Sequence, residues 1–208
     1  VAVAVSVALT LAVLALAGWQ ILRQATAPEG VAGTAAVGGP FRLVDQFGAV
    51  RTEADFRGRF MLLFFGYSHC PDVCPTALQS VSAALDALGP AGERVVPIFV
   101  TIDPARDTVE RLRDYAANFN PRLVALTGSA EETAAVARAY RVYYARAGDQ
   151  GSGDQGSGDH GAGDHGPGDY EMNHSTIVYL MGPDGAYVSH FTHETPPEKI
   201  AETIREHL

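Results

Sequence analysis

The sequence predicts an α/β fold built on a mixed sheet, and three observations predict it. Two apolar runs of strand length, Phe60–Gly66 and Val95–Thr101, are each followed by a helix-period pattern. Two further strand patterns, 176–181 and 187–192, flank Gly182-Pro183-Asp184-Gly185, a strong turn signal that makes them a hairpin. A last helical stretch, opened by Pro197, closes the chain. Strands alternating with helices and ending in a hairpin call for helices packed on a sheet.

Taken in order, residues 41–48 read as a short strand and turn, and 60–66 as a central buried strand. A helix follows over 75–88, with Leu78, Val81, Leu85 and Leu88 on one face and a stop at Gly89-Pro90. The Val/Ile-rich run 95–101 is a second buried strand despite Pro97. Asp107 is expected to cap the next helix, because Glu110 stands three residues on at capping-box spacing, and that helix runs to 118. A short strand over 123–126, a helix over 130–140, the hairpin and a helix over 197–207 complete the reading. This order is that of a thioredoxin-like domain carrying an extra helix and strand.

Composition bounds the rest. The 208-residue chain has room for one ordinary domain plus accessories. Residues 1–22 carry no charged side chain, enough to cross a bilayer at 1.5 Å per residue, and Trp19 and Arg23 stand where interfacial residues gather. We read 1–22 as a single transmembrane anchor and 23–39 as a linker, with the folded domain over 40–208. The alternative is a cleaved export signal ending near Ala25-Thr26-Ala27. Both place the domain outside the cytoplasm, in a bacterial periplasm or a mitochondrial intermembrane space. Because the chain opens at Val1 without methionine, an upstream segment is expected. A net charge of −9 excludes nucleic acid as a partner, since no basic face is available for phosphates.

Residues 148–169 form a low-complexity insertion, a five-residue Gly/Asp repeat whose units begin at Asp149, Asp154, Asp159, Asp164 and Asp169. It holds almost nothing apolar and cannot support a core, so it reads as a flexible surface insertion. His160 and His165 leave open a weak metal-collecting role.

The chemistry is concentrated in the only two cysteines, within Cys70-Pro71-Asp72-Val73-Cys74-Pro75. They close a buried strand and open a helix, with three residues between them rather than the two of a Cys-x-x-C redox motif. Pro75 is expected at the first helical position. Cys74 would then lie by free N–H groups at the helix N-terminus, which lowers a thiol pKa. Redox or metal chemistry is the reading; a structural disulfide or a pair of buried thiols is the alternative.

The run Phe65-Gly66-Tyr67-Ser68-His69-Cys70-Pro71-Asp72-Val73-Cys74-Pro75 resembles the signature of the Sco/SenC copper-protein family. Three more stretches fit it in order: Val100-Thr101-Ile102-Asp103-Pro104-Ala105-Arg106-Asp107-Thr108, Ala139-Tyr140-Arg141-Val142-Tyr143-Tyr144, and Asn173-His174-Ser175 with 179–185. The resemblance implies a thioredoxin-like fold in which Cys70, Cys74 and His174 bind copper, as Cu(I) or Cu(II). Two soft thiolates with one imidazole suit that metal. Where the family usually carries aspartate, this chain has Asn173, which removes a charge that could orient the imidazole. Met172 is a packing residue or a weak thioether ligand.

The resemblance further implies a membrane-anchored copper chaperone that helps assemble the CuA centre of cytochrome c oxidase. Its partners would be the copper-accepting oxidase subunit and, beyond it, other copper chaperones or thiol reductases. Delivery would proceed by ligand exchange, without substrate turnover. Two alternatives stay open: an oxidoreductase that cycles Cys70 and Cys74 between dithiol and disulfide, and a redox or copper sensor. A pure thiol reductase needs no imidazole at position 174, which is the feature that separates it from a chaperone.

Overall fold

A computed structural model describes residues 37–147 and 170–208. The expected anchor, the linker as far as residue 36 and the Gly/Asp repeat lie outside the described residues. Among the described residues no helix is long and apolar enough to cross a membrane.

The main sheet is formed by β1 (Arg42–Asp45), β2 (Val50–Thr52), β3 (Phe60–Gly66), β4 (Val95–Thr101), β5 (Val124–Thr127), β8 (Ile177–Met181) and β9 (Tyr187–Thr192). Their spatial order is β2-β1-β5-β4-β3-β8-β9. β3, β4 and β5 run parallel, and β1, β8 and β9 each pair antiparallel with their neighbours, so the sheet is mixed as expected. Every residue of β3 and β4 is buried, as two strands with both faces covered require. Pro97 is accommodated within β4, opposite Leu62.

Side chains alternate across β3, and the helices use that alternation. Phe64 packs toward Phe99, which in turn meets Tyr115 of α2 (Val109–Ala116); Phe65 faces Tyr140, at the end of α3 (Ala130–Ala139), and Tyr179 of β8. α1 (Val73–Leu88) packs along α4 (Pro197–Arg205) and buries Leu78, Val81, Leu85 and Leu88, the stripe read from the sequence. Two helix starts differ from expectation. α1 begins at Val73, two residues before Pro75, because the third helical position also has no intrahelical N–H partner and a proline fits there. α2 is capped by Thr108, whose hydroxyl accepts from Arg111 N–H at 3.2 Å, and not by Asp107, whose carboxylate is drawn into the core.

A second, two-stranded sheet was not expected. β6 (Tyr144–Arg146) pairs antiparallel with β7 (Met172–His174), with Tyr144 opposite His174, Ala145 opposite Asn173 and Arg146 opposite Met172. The two strands are the stems of the Gly/Asp repeat, and Ala147 N–H donates to Glu171 C=O at 2.8 Å where the repeat departs. The stems are thus already held together at the repeat's base. Removing 151–168 is therefore expected to leave the fold and copper stoichiometry intact, since loop closure changes by only about 0.6 kcal/mol per doubling of length. Unfolding midpoint and copper content of the deletion variant check this; loss of tight copper binding would place His160 or His165 in the main site.

Candidate metal centre

Two elements and one loop build the site. β3 ends at Gly66, and Tyr67-Ser68-His69-Cys70 turns back, with Cys70 N–H donating to Tyr67 C=O at 3.2 Å. Gly66 is required by closeness: a Cβ there would meet Cys74 Sγ at 2.8 Å and the rings of Phe64 and Phe99 at 3.0 Å. The loop is tied down by Asp107, which is fully buried. Its carboxylate accepts from Ser68 N–H at 3.0 Å, Ser68 Oγ at 2.5 Å and Thr101 Oγ1 at 2.6 Å. Arg111 Nε adds a bond to Ser68 Oγ at 2.9 Å. His69 is half-exposed beside this network, its Nδ1 3.2 Å from Ser68 Oγ and 3.8 Å from Asp107.

The two thiols are free and unlike. Cys74, in the first turn of α1, is fully buried, whereas Cys70 is partly open to solvent. Asp72, at the N-cap, makes no capping bond with its side chain. Cys70 Sγ takes that place, accepting Cys74 N–H at 3.4 Å. The acidity of the pair is the reverse of that expected from sequence. Cys70 falls to about 4, because Cys74 donates to its sulfur and the N–H groups of Cys74 and Asp72 add to that, against burial. Cys74 is raised, because it is that donor, is buried and faces the Cys70 thiolate. The helix N-terminus thus acts on the cysteine that folds over it, not on the one inside its first turn.

His174 arrives on β7, one hundred residues away in sequence, and its Nε2 stands 3.5 Å from Cys74 Sγ. Its Nδ1 lies 3.0 Å from Ser175 C=O, so that nitrogen carries the proton and Nε2 turns a lone pair toward the sulfur. Ser175 is itself fixed: its N–H donates to Tyr143 C=O at 3.0 Å and its Oγ accepts Tyr143 N–H at 3.2 Å. Phe64 and Tyr67 wall the imidazole edge-on. Burial pushes the Tyr67 hydroxyl up to about 12, so it stays neutral there.

The structure therefore brings Cys70, Cys74 and His174 to one spot. Two donors about 2.0–2.3 Å from a shared ion stand roughly 3.5 Å apart at tetrahedral angles, which is the observed Cys74–His174 separation. Among the described residues no group of three or more His, Cys, Asp or Glu side chains is already arranged to hold a metal ion, so the trio is near but not closed. Asn173 is exposed on β7, and the imidazole is oriented by Ser175 C=O, not by position 173. Met172 is buried in the core, as a packing residue. Asp103 is buried and engaged by Arg106 Nε, and by Tyr170 OH at 2.7 Å. His190 and His193 are satisfied locally by Tyr187 OH at 2.6 Å and Thr176 Oγ1 at 3.1 Å.

Residues 29–208 match the family model described as SCO1/SenC. The chain belongs to the SCO1/SenC family. It is 41% identical over 177 residues to the bovine "Protein SCO2 homolog, mitochondrial", covering 84% of this chain and 61% of that protein. It is 40% identical over 161 residues to "Protein SCO1 homolog 1, mitochondrial" of Arabidopsis thaliana, covering 77% of this chain and 43% of the relative. The chain thus spans about half of these relatives' lengths. Among solved structures, Bradyrhizobium japonicum ScoI with copper bound matches with a TM-score of 0.70 at 39% identity, covering 83% of this chain and all of the other. Family membership and the α/β fold were both readable from the ordered motifs.

Proposed function

We propose that this chain is a copper chaperone that carries one copper ion on Cys70, Cys74 and His174 and passes it to the CuA-bearing subunit of cytochrome c oxidase. The observation that supports this reading most is the 3.5 Å approach of a lone-pair-bearing His174 Nε2 to Cys74 Sγ. The copper-bound relative at 39% identity supports the choice of metal, and two soft sulfurs with one imidazole suit Cu(I) and tolerate Cu(II). Half-open Cys70 turns in to complete the set. The apolar run 1–22 serves as the anchor, 23–39 as its linker, and 40–208 acts on the extracytoplasmic side.

Transfer is an exchange of ligands. An acceptor thiolate reaches the copper past half-exposed Cys70, displaces it, and a second acceptor donor then displaces Cys74 and His174. Copper(I) keeps its oxidation state, and Cys74 regains its proton as it leaves.

Uptake reverses that proton step, and this gives the test. Above pH 5 Cys70 is already a thiolate, its pKa being about 4. Cys74 remains a thiol and must lose its proton to bind. The proton penalty falls as pH rises, so apparent Cu(I) affinity should climb about tenfold per pH unit between pH 6 and 8. Competition of the reduced chain with a Cu(I) chelator measures stoichiometry and slope together. One copper per chain with unit slope is expected; no tight copper at any pH would overturn the reading.

One observation favours a second activity at the same residues. A half-exposed thiolate beside a buried thiol is the arrangement of an attacking and a resolving cysteine. Cys70 thiolate would attack an acceptor disulfide, forming a mixed disulfide and releasing one acceptor thiolate. Cys74, giving up its proton, would then attack Cys70 sulfur and release the second. The acceptor gains two electrons, and Cys70–Cys74 becomes the disulfide. That activity does not need His174, so His174→Ala separates it from copper carriage.

A further inference from the structure

Beside the metal centre the molecule has a cavity of about 450 Å³, within the size range of ligand and peptide sites. One wall is the turn after β4, Ile102 to Ala105, a second is Gly128 to Ala130 at the start of α3, and the third is β6 with Met172 of β7. All three β6 residues, Tyr144, Ala145 and Arg146, line it. Met172 of β7, the cross-strand partner of Arg146, lines it as well, so the cavity borders the face of the two-stranded arm as well as β6.

The hydrogen-bond pattern says which backbone groups the outer edge of β6 offers. Ser175 N–H bonds Tyr143 C=O, and Ala147 N–H bonds Glu171 C=O. Hydrogen-bonded pairs recur every second residue in an antiparallel ladder, so residues 143, 145 and 147 turn inward to β7. Tyr144 and Arg146 therefore turn their N–H and C=O outward, away from β7. Among the described residues the two-stranded sheet contains only β6 and β7. Arg146 marks the charge of this edge. It is exposed and stacks its guanidinium on Tyr170 at 4.2 Å, with a weak bond to Tyr170 OH at 3.4 Å, and pairs with no carboxylate among the described residues. Asp103 across the cavity is already engaged by Arg106 and Tyr170.

We propose that the open edge of β6 is the docking site for an extended, carboxylate-bearing segment of the copper-accepting protein, which adds to the Tyr144–Arg146 strand and places a carboxylate against Arg146. This rests on the chaperone reading above. Strand addition supplies affinity through main-chain bonds and specificity through alternate side chains. An added strand lies about 4.8 Å from β6. Tyr144 pairs directly with His174, so the docked segment runs two strand spacings from the imidazole. The register that holds the acceptor thus holds it beside the copper.

The test uses the full chain loaded with Cu(I) and, as probe, the soluble copper-accepting domain of the oxidase from the same organism. Amide hydrogen exchange is followed with and without the probe. Tyr144 and Arg146 should gain at least tenfold protection in the complex, while Ala145, already in the ladder, changes little. Arg146→Glu should weaken probe binding about tenfold with copper content unchanged, and Arg59→Glu, a like charge change elsewhere on the surface, should not. Probe binding without protection at 144 and 146, equal weakening by both variants, or protection that appears without the probe through self-association would each overturn the proposal. Copper content is read in the same samples. A chain that takes up no copper overturns the chaperone reading, while the exchange pattern with the probe still decides the edge.

Discussion

Alanine at either Cys70 or Cys74 is expected to abolish tight copper binding, with at least a hundredfold loss of Cu(I) affinity. One thiolate and one imidazole are a two-donor set, and Cu(I) is held chiefly by soft sulfur. The two variants should nonetheless differ in stability. Cys74 is fully buried under Gly66, Phe64 and Phe99, so its truncation leaves a small void, whereas Cys70 is partly exposed and its loss removes the sulfur that caps α1. His174→Ala is expected to behave differently from both: Cu(I) stays bound through two thiolates with reduced affinity, while Cu(II) is lost, because the harder ion depends more on the nitrogen. Asn173→Asp should leave stoichiometry unchanged, since that side chain is exposed and Ser175 orients the imidazole. Copper content and absorption of the reduced variants check all four. If His174→Ala bound both oxidation states as well as the parent, the donor set would be wrong and the thiol–disulfide activity would take its place.

Asp107→Ala is expected to be the most destabilising single change outside the apolar core. It removes a carboxylate that takes three hydrogen bonds with no solvent access, and leaves Ser68 N–H, Ser68 Oγ and Thr101 Oγ1 without that acceptor. Each buried donor left unpaired costs about 1–3 kcal/mol, partly recovered where a hydroxyl rotates or water enters. A net loss of about 3–5 kcal/mol is expected. With a urea slope of about 2 kcal/mol per molar for a domain of this size, the midpoint should fall by roughly 2 M. Asp107→Asn, which keeps the shape and one acceptor, should lose about half as much. A midpoint shift below about 0.5 M in the alanine variant would mean that the network does not hold the cysteine loop.

How far the sequence carried these conclusions depends on how local each signal is. The strands β3 and β4, the α1 stripe and the closing hairpin were legible, because burial on both faces writes unbroken apolar runs and a helix writes its period. The β6–β7 arm was not read as an element. Its strands are three residues each, too short for alternation to register, and a polar repeat separates them. The signal was present all the same: Val142, Tyr143 and Tyr144 before the repeat and Tyr170 and Met172 after it are strand-favouring or apolar residues bracketing an apolar-poor stretch.

The three proposed ligands were named from ordered motifs, and the fold brings them together. Their electrostatics were not legible. From sequence Cys74 holds the helix N-terminal position, yet the turn of Pro71-Asp72 folds Cys70 back over the free N–H groups, and this inverts which thiol ionises. Asp107 was misread for a related reason. Its spacing to Glu110 satisfies a cap pattern, but Thr108 next to it caps instead, and the Asp107 carboxylate is taken up by Ser68 and Thr101.

Gly66 has a consequence for how mutations in such a protein should be interpreted. It supplies no donor atom, carries no charge and has no side chain, so a survey of ligands would pass it over. Its place is nevertheless defined by the Cys74 sulfur at 2.8 Å from where a methyl group would stand, with two aromatic rings closing the other sides. An inherited or engineered alanine here must push that sulfur, because the two rings already close the other sides. Such an allele would leave Cys70, Cys74 and His174 unchanged in the gene and still be expected to present as a ligand-loss phenotype, in a chain that folds but holds its sulfur out of place.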